Sequence, residues 1–419
     1  MIFYENKKLF LISIILKIFI ISILIKYDTS VGDSANYLNN ALNIFNYNTY
    51  SEDSLNPTLF RPPLYSFFLA LCISLFGNNI FIFQIIQNII FFTSILLLIK
   101  VVLKLNLNFS KLLFIFAIFS PFETIYSGAI FSENLTSFFI ILTIYFLICF
   151  NGYKQYIFSG ITLGLLCLTK DIFILLPFVI VFFLFFINGL KAKKIFINSI
   201  LLIFFFLITI LPWVIRNNFI SEKFILISDG RLGYSLWVGT WAENGKWTIK
   251  NSNNIQNFPE KAFRDEAEKI YLTESLKKGI DKIDGDFKKI ALERIKNDPV
   301  GVLKTYFVRF PNLWLGTRTD IFLFNDDLLV KKGKLWSVVK IFFYLLNLTL
   351  VISGFLGIFI LLKENFKKYY LMTIPILYTS AVYIPLNSFE NRYSQPVLLL
   401  MLFFSSYFFF KLFYELKKK

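Results

Sequence analysis

The chain contains no histidine. That removes the imidazole as acid, base and metal ligand, so any proton transfer must rest on carboxylates, lysine, arginine, tyrosine or hydroxyls. Residues of those types stand at the edges of long apolar runs. The first group is Gly32-Asp33-Ser34-Ala35-Asn36-Tyr37, followed by Arg61-Pro62-Pro63-Leu64-Tyr65. Ala35, Leu38 and Leu42 share one helical face, which predicts a helix over 34–45 lying on a membrane surface. Asp33 then reads either as its N-cap or as a general base for an acceptor hydroxyl. Arg61 precedes two stiffening prolines. It reads as a forked grip on a lipid phosphate or as a snorkelling anchor for the apolar stretch 64–76.

Other candidates recur in the same way. Glu133, in Ser132-Glu133-Asn134-Leu135, opens an apolar helix, where the helix dipole favours a carboxylate. Glu123 follows Ser120-Pro121 inside an apolar run, so it is a functional candidate or marks a boundary. Lys170-Asp171 reads as a self-pairing turn. Arg216, in Pro212-Trp213-Val214-Ile215-Arg216-Asn217, reads as an interfacial anchor or a phosphate ligand. Arg392 and Tyr393 put a cation and an aromatic ring ahead of the last apolar run. Asn134-Leu135-Thr136 matches a glycan acceptor sequon, but it opens a membrane helix and is discounted. Cys72, Cys149 and Cys167 all sit in apolar segments, against a disulfide framework.

The elements that must position these residues follow from composition. Of 419 residues, 56% are hydrophobic and 19% aromatic, and the mean hydropathy is +0.64. Apolar runs near the roughly 20 residues that cross a bilayer occur at 9–26, 80–99, 112–130, 133–150, 156–169, 172–188, 195–215, 337–362, 369–386 and 395–413. The net charge of +16 comes largely from lysines in short loops, so topology explains it better than nucleic-acid binding. Lysine clusters near residues 7, 100, 154, 191, 363 and 417 fall on one side only if 64–76 and 300–315 do not cross. This predicts an all-α polytopic protein with about ten spans and both termini cytoplasmic. The stretches 64–76 and 300–315 become interfacial helices. The first run lacks a small-residue cleavage site after it and is expected to be a retained helix. Lys17, in mid-run, is a cost that snorkelling or a partner carboxylate would relieve.

Three regions result: a transmembrane module 1–216 with an outer loop 27–63, an outer region 217–336, and terminal spans 337–419. Within the outer region, 260–297 is amphipathic and Asp298-Pro299 stops it. The piece 228–248, rich in glycine and tryptophan, reads as loop or short strands. There is no internal repeat. Asp33, Arg61, Glu133, Lys170, Arg216 and Arg392 all emerge on one face from a charge count that ignored the acidic residues. Cations and carboxylates at one interface suit an anionic lipid phosphate and a hydroxyl acceptor.

On these motifs the chain resembles the GT-C superfamily of polyprenyl-phosphate-sugar glycosyltransferases, especially the branch shared by protein O-mannosyltransferases and the aminoarabinose transferases of lipid A. The shared features are Asp33 with Tyr37 and Ala41, the Arg61-Pro62-Pro63 step, and Glu133 at a helix start. Pro212-Trp213 with Arg216-Asn217, and Arg392-Tyr393 with Pro396, complete them. The match runs over about 5–216 and, less closely, the C-terminal end. The resemblance implies a GT-C fold, a polyprenyl-phosphate-linked sugar donor and an inverting displacement in the cell envelope. It makes Asp33 the base and Glu133 an acceptor-orienting residue. Arg61, Arg216, Arg392 and Tyr393 would meet the donor phosphate, with Tyr37 and Lys170 as accessories. Some members use a divalent metal. Without histidine and with scattered carboxylates none is expected here, though such an ion is the one cofactor the resemblance admits. Three features depart from the family pattern: Asp33 lacks a tightly paired acidic neighbour, Arg61 stands where some members have lysine, and 217–336 shows no sugar-binding module. Partners are then a lipid-linked donor, membrane lipid and an unidentified acceptor in a plasma membrane, with no nucleic acid. The rival reading is a transporter or flippase of a lipid-linked glycan, which would favour ionisable broken helices near the midplane.

Overall fold

The computed structural model describes residues 7–19, 33–53, 56–188, 193–221, 224–229, 232–240, 280–318, 333–386 and 391–416. Asp28, Trp241, Trp247, the segment 260–279 and Glu390 lie outside the described residues. Among those described, helix dominates, and the one β-type pairing is an isolated bridge between Ser51 and Pro57.

The chain forms α1 (Lys7–Phe19), α2 (Asp33–Tyr47), α3 (Leu64–Phe76), α4 (Ile80–Lys104), α5 (Ser110–Ile118), α6 (Pro121–Gly128), α7 (Glu133–Cys149) and α8 (Tyr153–Thr169). A 3-10 turn (Asp171–Leu175) leads into α9 (Leu176–Asn188) and α10 (Lys193–Ile220). Then come α11 (Leu232–Gly239), α12 (Ile280–Asn297), α13 (Pro299–Trp314) and α14 (Gly333–Leu386). A second 3-10 turn (Asn391–Val397) precedes α15 (Leu398–Leu416).

Local chemistry explains the boundaries. The Asn79 side chain accepts from the N–H groups of Phe81 and Ile82 and so starts α4. Ser120 caps α6 and Pro121 occupies its first turn. That Ser-Pro step also ends α5, because the residue before a proline is driven out of helical geometry. The expected span 112–130 is therefore not one helix. It divides into α5 and the eight-residue α6, and α6 meets α7 at a bend of 116°. Asp298-Pro299 acts as expected: α12 ends at Asn297, and Asp298 caps α13 through the Gly301 N–H. In α14 the backbone breaks at Asn365, between the two runs expected at 337–362 and 369–386.

By length and apolarity, four described helical segments can cross a membrane: Ile80–Lys104, Lys193–Ile220, Ser337–Leu386 and Asn391–Leu416. The bent pair α6–α7 adds a fifth if taken as one span. Leu64–Phe76 is shorter. Large apolar side chains stay exposed, Phe204 and Leu207 on α10 and Phe182 and Phe186 on the shorter α9, as suits a surface facing lipid. The protein is an all-α, multi-pass membrane protein.

The chain divides into two units. The first comprises 1–228, 317–376 and 395–419. Its tightest helix packing is α8 against α10, α7 against α8, and α4 against α7. Small residues permit the first of these. A Cβ on Gly160 would stand 2.4 Å from the Leu202 carbonyl oxygen, and one on Gly164 2.5 Å from Thr209 Cβ.

The second unit comprises 229–316 and 377–394. Here the sequence reading of 228–248 as loop or strand is corrected, since 232–239 is helix α11. Both its ends are tied. Asp284 accepts from the Gly233 and Tyr234 N–H groups, each at 2.9 Å. The buried Arg309 donates to the carbonyls of Gly239 (2.5 Å) and Val238 (2.7 Å). A carboxylate at the start and a guanidinium at the end both complement the helix dipole. Trp237 stacks on Phe287 at 4.2 Å. Along α13, Val300, Leu303 and Phe307 remain exposed on one stripe. Arg392 and Tyr393 belong to this unit, where Arg392 lies 5.5 Å over the Tyr393 ring and Tyr393 stacks on Tyr383 at 4.8 Å.

Candidate functional site

The first unit brings Asp33, Tyr37, Arg61, Glu133 and Lys170 into one connected set. Asp33 begins α2, and Arg61 Nη2 donates to its Oδ1 at 2.5 Å. Both side chains keep access to solvent, at 20% for Asp33 and 23% for Arg61. The Arg61 guanidinium also lies 4.5 Å over the Phe60 ring and 5.9 Å from that of Tyr37. Its backbone is fixed by Tyr50, whose hydroxyl donates to the carbonyls of Arg61 (3.0 Å) and Pro62 (3.2 Å). The sequence alone left Asp33 and Arg61 as separate candidates; the fold pairs them.

A second ion pair stands beside the first. Lys170 Nζ donates to Glu133 Oε1 at 3.1 Å. Glu133 is only 2% exposed and Lys170 15%. The self-pairing turn expected at Lys170-Asp171 is not formed. Lys170 turns to Glu133, and Asp171 accepts from the Ser228 hydroxyl. The backbone accounts for this: α8 ends at Thr169, Lys170 is extended, and Asp171 opens the 3-10 turn, so the two side chains diverge.

Tyr37 links the two pairs. Its hydroxyl donates to Ser132 Oγ at 3.3 Å, one residue before Glu133. Its ring meets that of Tyr65 edge-on at 4.9 Å. Ser34 Oγ donates to the Ile130 carbonyl at 3.1 Å, so the start of α2 is docked on the turn between α6 and α7. Burial pushes the Tyr37 phenol up to about 12, with Arg61 opposing and Asp33 reinforcing the shift. Tyr37 is thus a neutral donor at any working pH. Burial likewise raises Tyr50.

The turn 129–132 is irregular backbone enclosed in protein, and side chains from α4 hold it and the end of α6. Gln84 Nε2 donates to the Gly128 carbonyl at 2.7 Å. Gln87 Nε2 donates to Ala129 at 2.9 Å and Ser127 at 3.3 Å, and its Oε1 accepts from the Tyr65 hydroxyl at 2.8 Å. Ser127 Oγ donates to Asn88 Oδ1 at 3.0 Å. Asn134 Nδ2 reaches the Gln87 carbonyl at 2.6 Å and is buried. Non-helical backbone inside a membrane protein is tolerated only with such partners. Sequence reasoning missed Ser132, Gln84, Gln87 and Asn88. The last three stand at i, i+3 and i+4 in an otherwise apolar run, a polar stripe legible by its period.

Arg216 acts nearby as a clamp. It donates to the carbonyls of Thr58 (2.9 Å) and Tyr50 (3.2 Å) and lies 4.4 Å over Trp213. It thereby ties Tyr50 and Thr58 to α10, while Asn217 and Trp213 hold the Ile227 carbonyl. Among the described residues no cluster of three or more His, Cys, Asp or Glu could hold a metal ion.

Residues 60–215 match the family model described as dolichyl-phosphate-mannose-protein mannosyltransferase. No curated protein and no solved structure matches the chain at a significant level. The matched segment contains Arg61, Tyr65, Gln87, Glu133 and Lys170, most of the set just described. Over that segment, somewhat over a third of the chain, the sequence is similar to the dolichyl-phosphate-mannose-protein mannosyltransferase family, a match consistent with a GT-C glycosyltransferase.

Proposed function

We propose that the chain transfers a sugar from a polyprenyl-phosphate donor to a hydroxyl of a lipid, glycan or protein acceptor. Transfer proceeds with inversion on the extracytoplasmic face of a plasma membrane, crossed about ten times with both termini cytoplasmic. The observation that carries this reading is the half-open contact of Asp33 with Arg61 at 2.5 Å, a base and a phosphate-binding cation in one place.

In the resting site Arg61 holds Asp33. A donor phosphate competes for the guanidinium, whose fork fits two phosphate oxygens. As Arg61 turns to it, the carboxylate is released to accept a proton from the acceptor hydroxyl. The acceptor oxygen forms its bond to the anomeric carbon while the bond from that carbon to the phosphate oxygen breaks. The phosphate departs with the bonding pair, and Arg61 stabilises the charge that grows there. Glu133, held by Lys170, orients the acceptor, and the Tyr37–Ser132 hydrogen bond sets the spacing of the two pairs. Arg216 keeps the loop that carries Arg61 closed. The scheme runs without a divalent ion, since Asp33 and Glu133 each already face a cation. The stripe Val300, Leu303 and Phe307 on α13 rests on the membrane surface.

A transporter of a lipid-linked glycan is the second reading, favoured by the 116° bend between α6 and α7. Purified protein given polyprenyl-phosphate mannose and candidate acceptors separates the two. Release of polyprenyl phosphate by wild type, lost in Asp33→Asn with donor binding retained, is the expected result. Donor movement across vesicle membranes without release, unchanged by Asp33→Asn, would replace the transferase reading by the transporter.

A further inference from the structure

A second cluster of ionisable groups lies in the first unit, away from Asp33. Glu123 in α6 is 4% exposed and its Oε1 is buried without a hydrogen-bond partner among the described residues, while Lys17 and Arg318 are the cations whose charge acts on it. Lys17 Nζ donates to Thr124 Oγ1 at 2.7 Å and lies 4.5 Å over the Phe91 ring. Arg318 is fully buried. Its Nε donates to Asn347 Oδ1 at 2.9 Å and its Nη1 to Gln395 Oε1 at 3.2 Å. Its backbone sits at φ 54°, a left-handed conformation that a long side chain adopts only where its surroundings hold it. One carboxylate thus gathers two cations from α1 and from the segment after α13, with polar support from α14 and the final 3-10 turn.

The position of this carboxylate matters. Glu123 lies in the first turn of α6, and α6 is two turns long. Its far end passes into Gly128, Ala129 and Ile130, then Ser132 and Glu133, the residues that meet Gln84, Gln87, Ser34, Tyr37 and Lys170. A helix this short cannot hold its own orientation. The α4 glutamines fix one end, and the ionic cluster fixes the other.

We propose that Glu123 is a positioning residue: by balancing Lys17 and Arg318 it seats α6 and so places Ser132 and Glu133 in the site. It touches no reacting atom. Its removal leaves two buried cations without their shared carboxylate, and the nearer end of α6 moves. Removing Lys17 as well restores the balance.

The test compares Glu123→Gln, Lys17→Met and the double variant in the full-length protein. Backbone hydrogen exchange over 127–133 is read beside donor turnover. The kinetic arm rests on the transferase reading; the exchange arm does not, so the two can fail separately. In Glu123→Gln, exchange over 127–133 should quicken by about tenfold or more. The kcat should fall about 10- to 100-fold, as for a misplacement near 1 Å, with donor KM within about threefold. The double variant should return to within about threefold of Lys17→Met on both measures, a coupling expected of charges in one network. If Glu123→Gln fails to fold but the double variant folds, charge balance is supported. Turnover lost with exchange unchanged would overturn the proposal. So would a double variant no better than Glu123→Gln, or one that fails to fold while Lys17→Met folds.

Discussion

Replacing Asp33 by Asn, Arg61 by Gln, and both together tests whether the pair works as one device. The single changes have separable expectations. Loss of a positioned base lowers turnover about 10²- to 10⁴-fold. Loss of one donor to the leaving group's charge lowers it about 10²- to 10³-fold. Were the two residues independent, the double variant would lose the product, about 10⁴- to 10⁷-fold. The structure argues otherwise. The two atoms are 2.5 Å apart, and in the proposed mechanism Asp33 is released only when Arg61 turns to the donor. Neither role survives without the other, so the double variant should lose little more than the worse single. That corresponds to a coupling of about 3 kcal/mol, near the top of the range for residues in direct contact. The assay is single-turnover release of polyprenyl phosphate at saturating donor, with thermal unfolding as control. Arg61→Gln should change stability by only about 1 kcal/mol, because Asp33 keeps the favourable helix start. Losses that simply multiply would refute the shared device and return Asp33 and Arg61 to separate roles.

Other expectations follow from the same geometry. Lys170→Met leaves Glu133, 2% exposed, without its lysine, and should lower stability by about 3–5 kcal/mol; the double variant with Glu133→Gln should regain much of this in a thermal melt. Arg216→Ala removes two hydrogen bonds to loop carbonyls; limited proteolysis or hydrogen exchange over 49–58 should quicken about tenfold or more, with thermal stability less affected. Gly160→Val forces a Cβ to 2.4 Å from the Leu202 carbonyl, and α8 against α10 should lose about 1–3 kcal/mol. For Tyr37, with its phenol pushed up to about 12, the neutral form is the one the fold favours. Its contribution to stability is whole below the usual tyrosine value near 10 and is lost as pH rises toward 12. Alkaline melts of wild type against Tyr37→Phe should show this as a difference confined to that window.

Local features of the fold are legible in residue spacing. The helix after Asp33 follows from the spacing of Ala35, Leu38 and Leu42, and it forms over Asp33–Tyr47. The stop at Asp298-Pro299 follows from a cap followed by a proline. What the sequence could not carry is pairing over distance. Lys170 has Asp171 next to it, and only the divergence of α8 from the following 3-10 turn shows that its partner is Glu133. The charge of Arg216 is visible in sequence, whereas the carbonyls of Tyr50 and Thr58 that it holds are not. The run 112–130 is apolar enough to read as one span, and hydropathy does not register that Ser120-Pro121 breaks it. Lys17 showed its cost but not its relief, since Thr124 and Glu123 lie more than a hundred positions away.

The grip of α4 on the turn before α7 has a consequence for how this protein tolerates change. Gln84 and Gln87 hold carbonyl oxygens of residues 127–129, and every amino acid supplies a carbonyl. At Ala129 the bond survives any substitution that fits the space, whereas Gln87→Leu abandons three contacts at once. Robustness is therefore unevenly distributed: the gripped segment is free to drift in identity while the gripping helix is not. The wall beside Ser132 and Glu133 could be reshaped, residue by residue, without dismantling the scaffold that holds it.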